Sequence, residues 1–240
     1  MDHQTRQALK QDHFVDATKT GLHWAGEHRR SVITTAILLL AAIILLVGGI
    51  VTYNVRSEHA ASAFGEAMQA YQTPLAQPGQ PVPPGVKTYD SVTARAKAAN
   101  ELFSNVASKY GMTPAGRNAQ YFAGLTFVEE GQNASAEDSL KKTAASWNRD
   151  IAALGKLALA QLYHQTGRDP QAIDLYNQLA AKPTETVPAG LAQLQLASLY
   201  ESESKHDEAR KIYAQLKDKD AKGPAGEIAT QKLNPNAPQQ

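Results

Sequence analysis

The sequence predicts an all-α protein: a single N-terminal transmembrane helix followed by an α-solenoid of helical hairpins. Three observations carry this. Residues Val32 to Tyr53 read VITTAILLLAAIILLVGGIVTY, 22 positions without a charge. The chain has 42% hydrophobic residues but only 7% aromatic ones and few β-branched stretches, a composition that suits close-packed helices better than sheets. And the region after residue 89 repeats itself at intervals of 36 and 37 residues.

At a rise of about 1.5 Å per residue, a 22-residue helix is about as long as a hydrocarbon core is thick. A cleaved secretory signal fits less well, because 31 residues precede the apolar run; Ala61-Ser62-Ala63 leaves a processing site conceivable. The segment 32–55 is therefore assigned to the span. Lys19, Arg29 and Arg30 precede it closely and only Arg56 follows, so the positive-inside rule puts the N-terminus in the cytoplasm. Residues 1–31 form a cytoplasmic leader, partly helical. Its Leu9, Phe14, Ala17 and Trp24 either line a helix face for the membrane surface or a cytosolic partner, or simply extend the span.

Beyond the span, 19 Lys/Arg balance 19 Asp/Glu from Arg56 onward, which argues against nucleic acid as a partner. Residues 56–72 are Ala-rich and predict a juxtamembrane helix. Residues 73–88 hold Pro74, Pro78, Pro81, Pro83 and Pro84, a density that forbids helix and predicts a linker or inserted loop. The repeat domain occupies 89–222, and the tail 223–240, with Pro224, Pro235 and Pro238, is expected to fray.

The repeats align on Gly124, Ala160 and Ala197. Aromatics follow at Phe127, Tyr163 and Tyr200, then Gly131, Gly167 and Ser204, then Ala136, Ala172 and Ala209, and then Leu140, Tyr176 and Tyr213. The small anchor lets two helices approach, the aromatic fills the gap, and the glycine ends the first helix in a left-handed turn. The Ala and Leu/Tyr positions lie on one face of the second helix. Upstream, Ala99, Phe103 and Val106 keep the second-helix spacing, with Asp90 or Ser91 as N-cap and Gly111 after the last turn. Residues 57–72 are expected to supply the matching first helix.

This pattern resembles the tetratricopeptide repeat family. Leu159, Ala160, Tyr163, Gly167, Ala172, Tyr176 and Leu179 carry the resemblance best; the period exceeds the family's 34, and the closing proline is displaced to Pro183 or missing. The order of leader, span, the run Phe103 to Gly111 (F-x-x-V-A-x-x-Y-G) and repeats also resembles the YfgM-like family. Its members are single-span bacterial inner-membrane proteins with a periplasmic repeat domain, ancillary to the SecYEG translocon. The proline tract at 74–84 departs from that family's compact form.

The resemblance implies partners that are other proteins: translocon subunits, periplasmic chaperones or unfolded exported polypeptides. It implies a C-terminal domain in the periplasm and no nucleic acid. An envelope scaffold for cell division, cell-wall or outer-membrane assembly is the alternative. By the family's register, the concave groove is lined by Asn118, Tyr121, Leu125 and Val128; Leu154, Leu157, Gln161 and His164; and Leu191, Leu194, Ser198 and Glu201. It lacks the Lys/Arg clamp for a peptide carboxylate, so an apolar helix or an extended segment is expected there, unless 223–234 or 57–72 covers it.

No catalytic, metal or cofactor residues are predicted. There is no Cys, no H-E-x-x-H pair among seven His, no P-loop and no nucleophile elbow. The adjacent carboxylates Glu129-Glu130 and Asp207-Glu208 are expected to be solvated charges at helix ends. Asn133-Ala134-Ser135 matches a glycosylation sequon, a short pattern with no meaning in a bacterial cell.

Overall fold

The computed structural model describes residues 28–77, 79, 85 and 87–234. The leader up to residue 27, with Leu9, Phe14, Ala17, Lys19 and Trp24, lies outside them. Among the described residues the architecture is all-helical: α1 (Arg29–Gln72), α2 (Val92–Tyr110), α3 (Pro114–Glu129), α4 (Asn133–Ala144), α5 (Arg149–Gln165), α6 (Asp169–Ala181), α7 (Ala189–Ser202), α8 (His206–Lys219) and α9 (Pro224–Leu233). The chain divides into two units, Met1–Val55 and Arg56–Gln240.

In the first unit α1 has no buried side chain from residue 29 to 55, and Leu38 and Leu45 are 66% and 76% exposed. An 18-residue stretch of it has a mean hydropathy of 2.7, which makes the helix long and apolar enough to cross a membrane. The threonine hydroxyls in the run are internally satisfied: Thr34, Thr35 and Thr52 donate to the carbonyls of Arg30, Ser31 and Gly48 at 2.6, 2.9 and 2.8 Å. A helix needs that arrangement to lie in hydrocarbon without bare polar groups.

The second unit is a stack of antiparallel hairpins. Residues 60–71 of α1 pack on α2 and α3, with Phe64, Ala67, Ala70 and Tyr71 against Phe103, Val106 and Phe122. Phe103 and Phe122 stack at 5.2 Å between ring centroids, and Phe64 and Tyr71 meet both rings at 5.7 to 6.1 Å. The ends of the proline tract are hydrogen-bonded to each other, Ala76 N–H to Tyr89 C=O at 2.8 Å and Tyr89 N–H to Pro74 C=O at 3.1 Å. Residues 78, 80–84 and 86 of the tract lie outside the described residues. Ser91 caps α2 by accepting from the Ala94 amide, and Thr113 and Asn148 do the same for α3 and α5.

The next hairpins are α3–α4, α5–α6 and α7–α8. Equivalent positions have equivalent environments: Ala136, Ala172 and Ala209 are at most 1% exposed, and Leu140, Tyr176 and Tyr213 at most 2%. At each turn the residue after the loop position donates to the carbonyl of the aligned aromatic: Gln132 to Phe127, Arg168 to Tyr163, Lys205 to Tyr200, at 2.8 to 2.9 Å. This closes a Schellman turn, which needs one left-handed residue. Gly131 and Gly167 supply it at φ +75° and +71°, and Ser204 is held at φ +62°. Close approach explains Gly155, where a Cβ would lie 2.6 Å from the Ala144 amide nitrogen.

One expectation is corrected. The segment from Gly223 does not fray throughout; Pro224–Leu233 forms α9, which packs through Ala225 and Ala229 on Ala197, Tyr213 and Leu216. The last full hairpin would otherwise leave that apolar face bare.

The turn geometry sets a stability order. Ser204→Gly should raise stability by about 0.5–1 kcal/mol, and Gly167→Ala should lower it by about 1 kcal/mol, because only glycine adopts a left-handed backbone without strain. Urea titration of the detergent-solubilised chain, followed by far-ultraviolet circular dichroism, checks both signs.

Candidate binding face and inter-repeat contacts

The twelve groove positions fall on α3, α5 and α7, the first helices of consecutive hairpins. Tyr121, Leu125, Val128 and Leu157 are half-buried against one core cluster. Leu154, Leu157 and Leu191 pack against a second, and Leu194 against a third beside α9. Successive first helices touch, so these leucines spend part of their surface on stacking and offer only their outer edges. Burial also pushes the Tyr121 phenol upward in pKa. Asn118 is half-buried, and Gln161 and Ser198 are exposed.

The other two ionisable members, His164 and Glu201, are engaged within the fold. His164 Nδ1 lies 2.6 Å from Asp169 and its Nε2 lies 3.3 Å from the Ser202 hydroxyl, which joins α5 to α6 and α7. Glu201 accepts from Lys232 of α9 at 3.0 Å. Thus α9 sits beside Leu194 and Glu201, at the far end of the twelve positions. A cleft of about 650 Å³ opens elsewhere, between α2, α3 and α4, and is lined by Ser104, Gln120, Phe127, Asp138 and Lys142. None of the twelve residues lines it.

Several contacts between hairpins carry no mark in the sequence pattern. Glu137 of α4 accepts from Lys141 at 2.7 Å, from Arg168 at 2.8 Å and from the Tyr163 hydroxyl at 3.3 Å, while Arg168 stacks over the Tyr163 ring at 4.3 Å. These bonds fasten one hairpin to the turn of the next. In α2, buried Asn100 donates to the Ala123 carbonyl and to Thr126 Oγ1 at 3.0 and 2.8 Å.

Glu129 corrects a second expectation. It is not a freely solvated charge: its side chain is 26% exposed, accepts from Tyr71 at 2.5 Å and faces Arg95 at 4.0 Å. Burial, then the bond to Glu129, pushes the Tyr71 phenol up to about 12. The exposed Asp207 and Glu208, by contrast, sit in the first turn of α8, where negative charge is favoured.

The sequence pattern of the tetratricopeptide repeat-like domain family matches residues 33–234. The chain belongs to that family. Repeats of this kind are protein-interaction modules. No curated protein matches the sequence significantly. Among solved structures, a Podosopora anserina kinesin light chain with nearly identical TPR-like repeats superposes with a TM-score of 0.54 at 18% identity, covering 74% of this chain and 84% of that one. At that identity the likeness concerns the fold alone.

The hydrogen bond from Lys141, then that from Arg168, holds the Glu137 carboxyl below its ordinary pKa against the opposing effect of burial. A lowered folded-state pKa adds stability above the unfolded value of about 4.3, lost as pH falls through the folded value. Glu137→Gln should therefore cost about 0.5–1 kcal/mol at pH 7, the range of part-exposed ion pairs. In urea titrations the variant and the wild type should converge below about pH 4.

Proposed function

We propose that this chain is a non-enzymatic, membrane-anchored interaction protein of a bacterial inner membrane. α1 crosses the bilayer through residues 32–55, the leader stays in the cytoplasm, and the repeats stand in the periplasm. There they assist newly exported proteins, as an accessory of the Sec translocon or of periplasmic chaperones. The observation that carries this reading is the extent of the family match, which begins at residue 33 and so takes in the apolar helix together with the repeats. An anchor and a repeat array that form one family unit support a module working at a membrane. The charge asymmetry around the span supports the orientation, and the resemblance to YfgM-like proteins supports the pathway.

The binding face in this reading is the row of α3, α5 and α7. The outer edges of Leu154, Leu157, Leu191 and Leu194 give an apolar strip, and Gln161 and Ser198 give exposed polar positions for an extended or helical segment. The absence of Lys or Arg among the twelve positions argues for recognition through side-chain burial, not through a terminal carboxylate.

Photoreactive residues introduced at Gln161 and Ser198, with Lys211 on α8 as control, test this in cells expressing the full chain. Capture of exported polypeptides, chaperones or translocon subunits from the first two sites and not from Lys211 is the expected result. Equal capture from all three, or capture of cytosolic proteins only, would contradict it.

A further inference from the structure

Two large apolar side chains of the repeat unit stand almost free. Met112 is 86% exposed and Trp147 is 78% exposed, while the other exposed large apolar residues of that unit, Val92, Leu102 and Ile228, lie between 38% and 43%. They occupy different inter-helix turns, Met112 between α2 and α3 and Trp147 between α4 and α5. A single guanidinium joins them: Arg117 donates to the Met112 carbonyl at 2.8 Å and stacks 4.6 Å from the Trp147 ring centroid. That contact orients the indole and leaves most of it uncovered. A tryptophan held this way gains little for folding, and its amphipathic ring is suited to a boundary between apolar and wet surroundings.

The position of this patch in the repeat unit is informative. α2 runs antiparallel to the end of α1: Tyr71 lies near Arg95, Phe64 near Phe103, and Arg56 near Tyr110. The Arg56 guanidinium donates to the Lys109 carbonyl, and both Arg56 and Lys109 sit over the Tyr110 ring, at 5.7 and 5.2 Å. The corner that carries Met112 is thus the corner that holds Arg56. Arg56 is bonded to Val55, the last residue of the apolar segment, and one helical residue advances only about 1.5 Å. Covalent continuity alone keeps Arg56 next to the end of the apolar segment. Arg56 and Lys109 contact Tyr110 at this corner and Arg117 contacts Met112 and Trp147; Arg149 follows Trp147 by two residues and lines a cleft with Asp150 and Glu185.

We propose that this corner rests on the membrane itself, with Met112 and Trp147 inserted in the interfacial layer and the four cations among anionic headgroups. The inference depends on the anchored reading given above. Exposed apolar rings flanked by Lys and Arg match the chemistry of a headgroup boundary. The charged ends of Arg56 and Lys109 gather over Tyr110 at this corner, where anionic headgroups would meet them. Seating the corner would fix the distance of the repeats from the bilayer.

The chain has two tryptophans, so Trp24→Phe leaves Trp147 as sole reporter. The full-length variant is reconstituted in phosphatidylcholine–phosphatidylglycerol vesicles with and without brominated acyl chains. A second variant, Trp24→Phe with Trp147→Phe and Gln132→Trp, reports from the α3–α4 turn at the opposite end of α3. Flotation of the vesicles tests anchoring separately. The expected result is that both variants float, Trp147 emission shifts to shorter wavelength, and brominated lipid quenches it by about twofold, as for an interfacial indole. The tryptophan of Gln132→Trp stays unquenched, and adding Arg117→Glu weakens the quenching of Trp147. Floating protein whose Trp147 is unquenched, or is quenched no more than the distal reporter, overturns the inference and leaves the anchor intact. Failure to float overturns the anchor, and the inference with it.

Discussion

A helical hairpin of this length has one apolar stripe and no partner of its own for it. Leu140, Tyr176 and Tyr213 are buried because the following hairpin, or α9 in the last case, closes over the face they share with their neighbours. Every other feature of the repeat unit follows from that need to stack. Glycine or alanine at Gly124, Ala160 and Ala197 keeps paired helices close; a Cβ on Gly124 would meet Leu140 at 2.6 Å. The Schellman turns set the hairpin angle, and the bonds from Glu137 to Arg168 and from Glu201 to Lys232 lock one step of the stack to the next.

Stacking also explains how the array begins and ends. At the start, the end of α1 serves as the first helix for α2, so the apolar helix runs directly into the repeats as one element, Arg29–Gln72. At the finish, α9 acts as a lone first helix that covers the last hairpin. The same constraint shapes the candidate binding face. Leucines on neighbouring first helices must touch each other before they can touch a partner, which leaves a narrow apolar strip.

The parts legible in the sequence were those where physics demands a residue type at a fixed spacing. A left-handed turn needs glycine, so Gly131 and Gly167 stood out, and Ser204 could be placed by alignment despite its chemistry. The helix pairs and the long apolar run were readable for the same reason. The miss at α9 had a signal: Pro-Ala-Gly occurs at 114–116, 188–190 and 224–226, each time at the start of a first helix. Prolines near a terminus predict fraying, but Pro224 is a helix starter. Glu129 and the half-burial of the groove leucines were not legible, because their surroundings come from residues far along the chain. Tyr71 is 58 positions from Glu129, and no local pattern announces such a pairing. Trp147 was hidden likewise, since only the fold reveals an aromatic left in the open beside Met112.

The central claim is that stability passes from hairpin to hairpin through shared faces. Hydrogen exchange on a chain ended at Lys222, which lacks α9, tests it most directly. The account predicts that amides of α7 and α8 lose protection by far the most, α5 and α6 less, and α2 to α4 hardly at all, as nearest-neighbour coupling requires. A uniform loss along the whole repeat unit, or protection in α7 and α8 unchanged from the full chain, would contradict it.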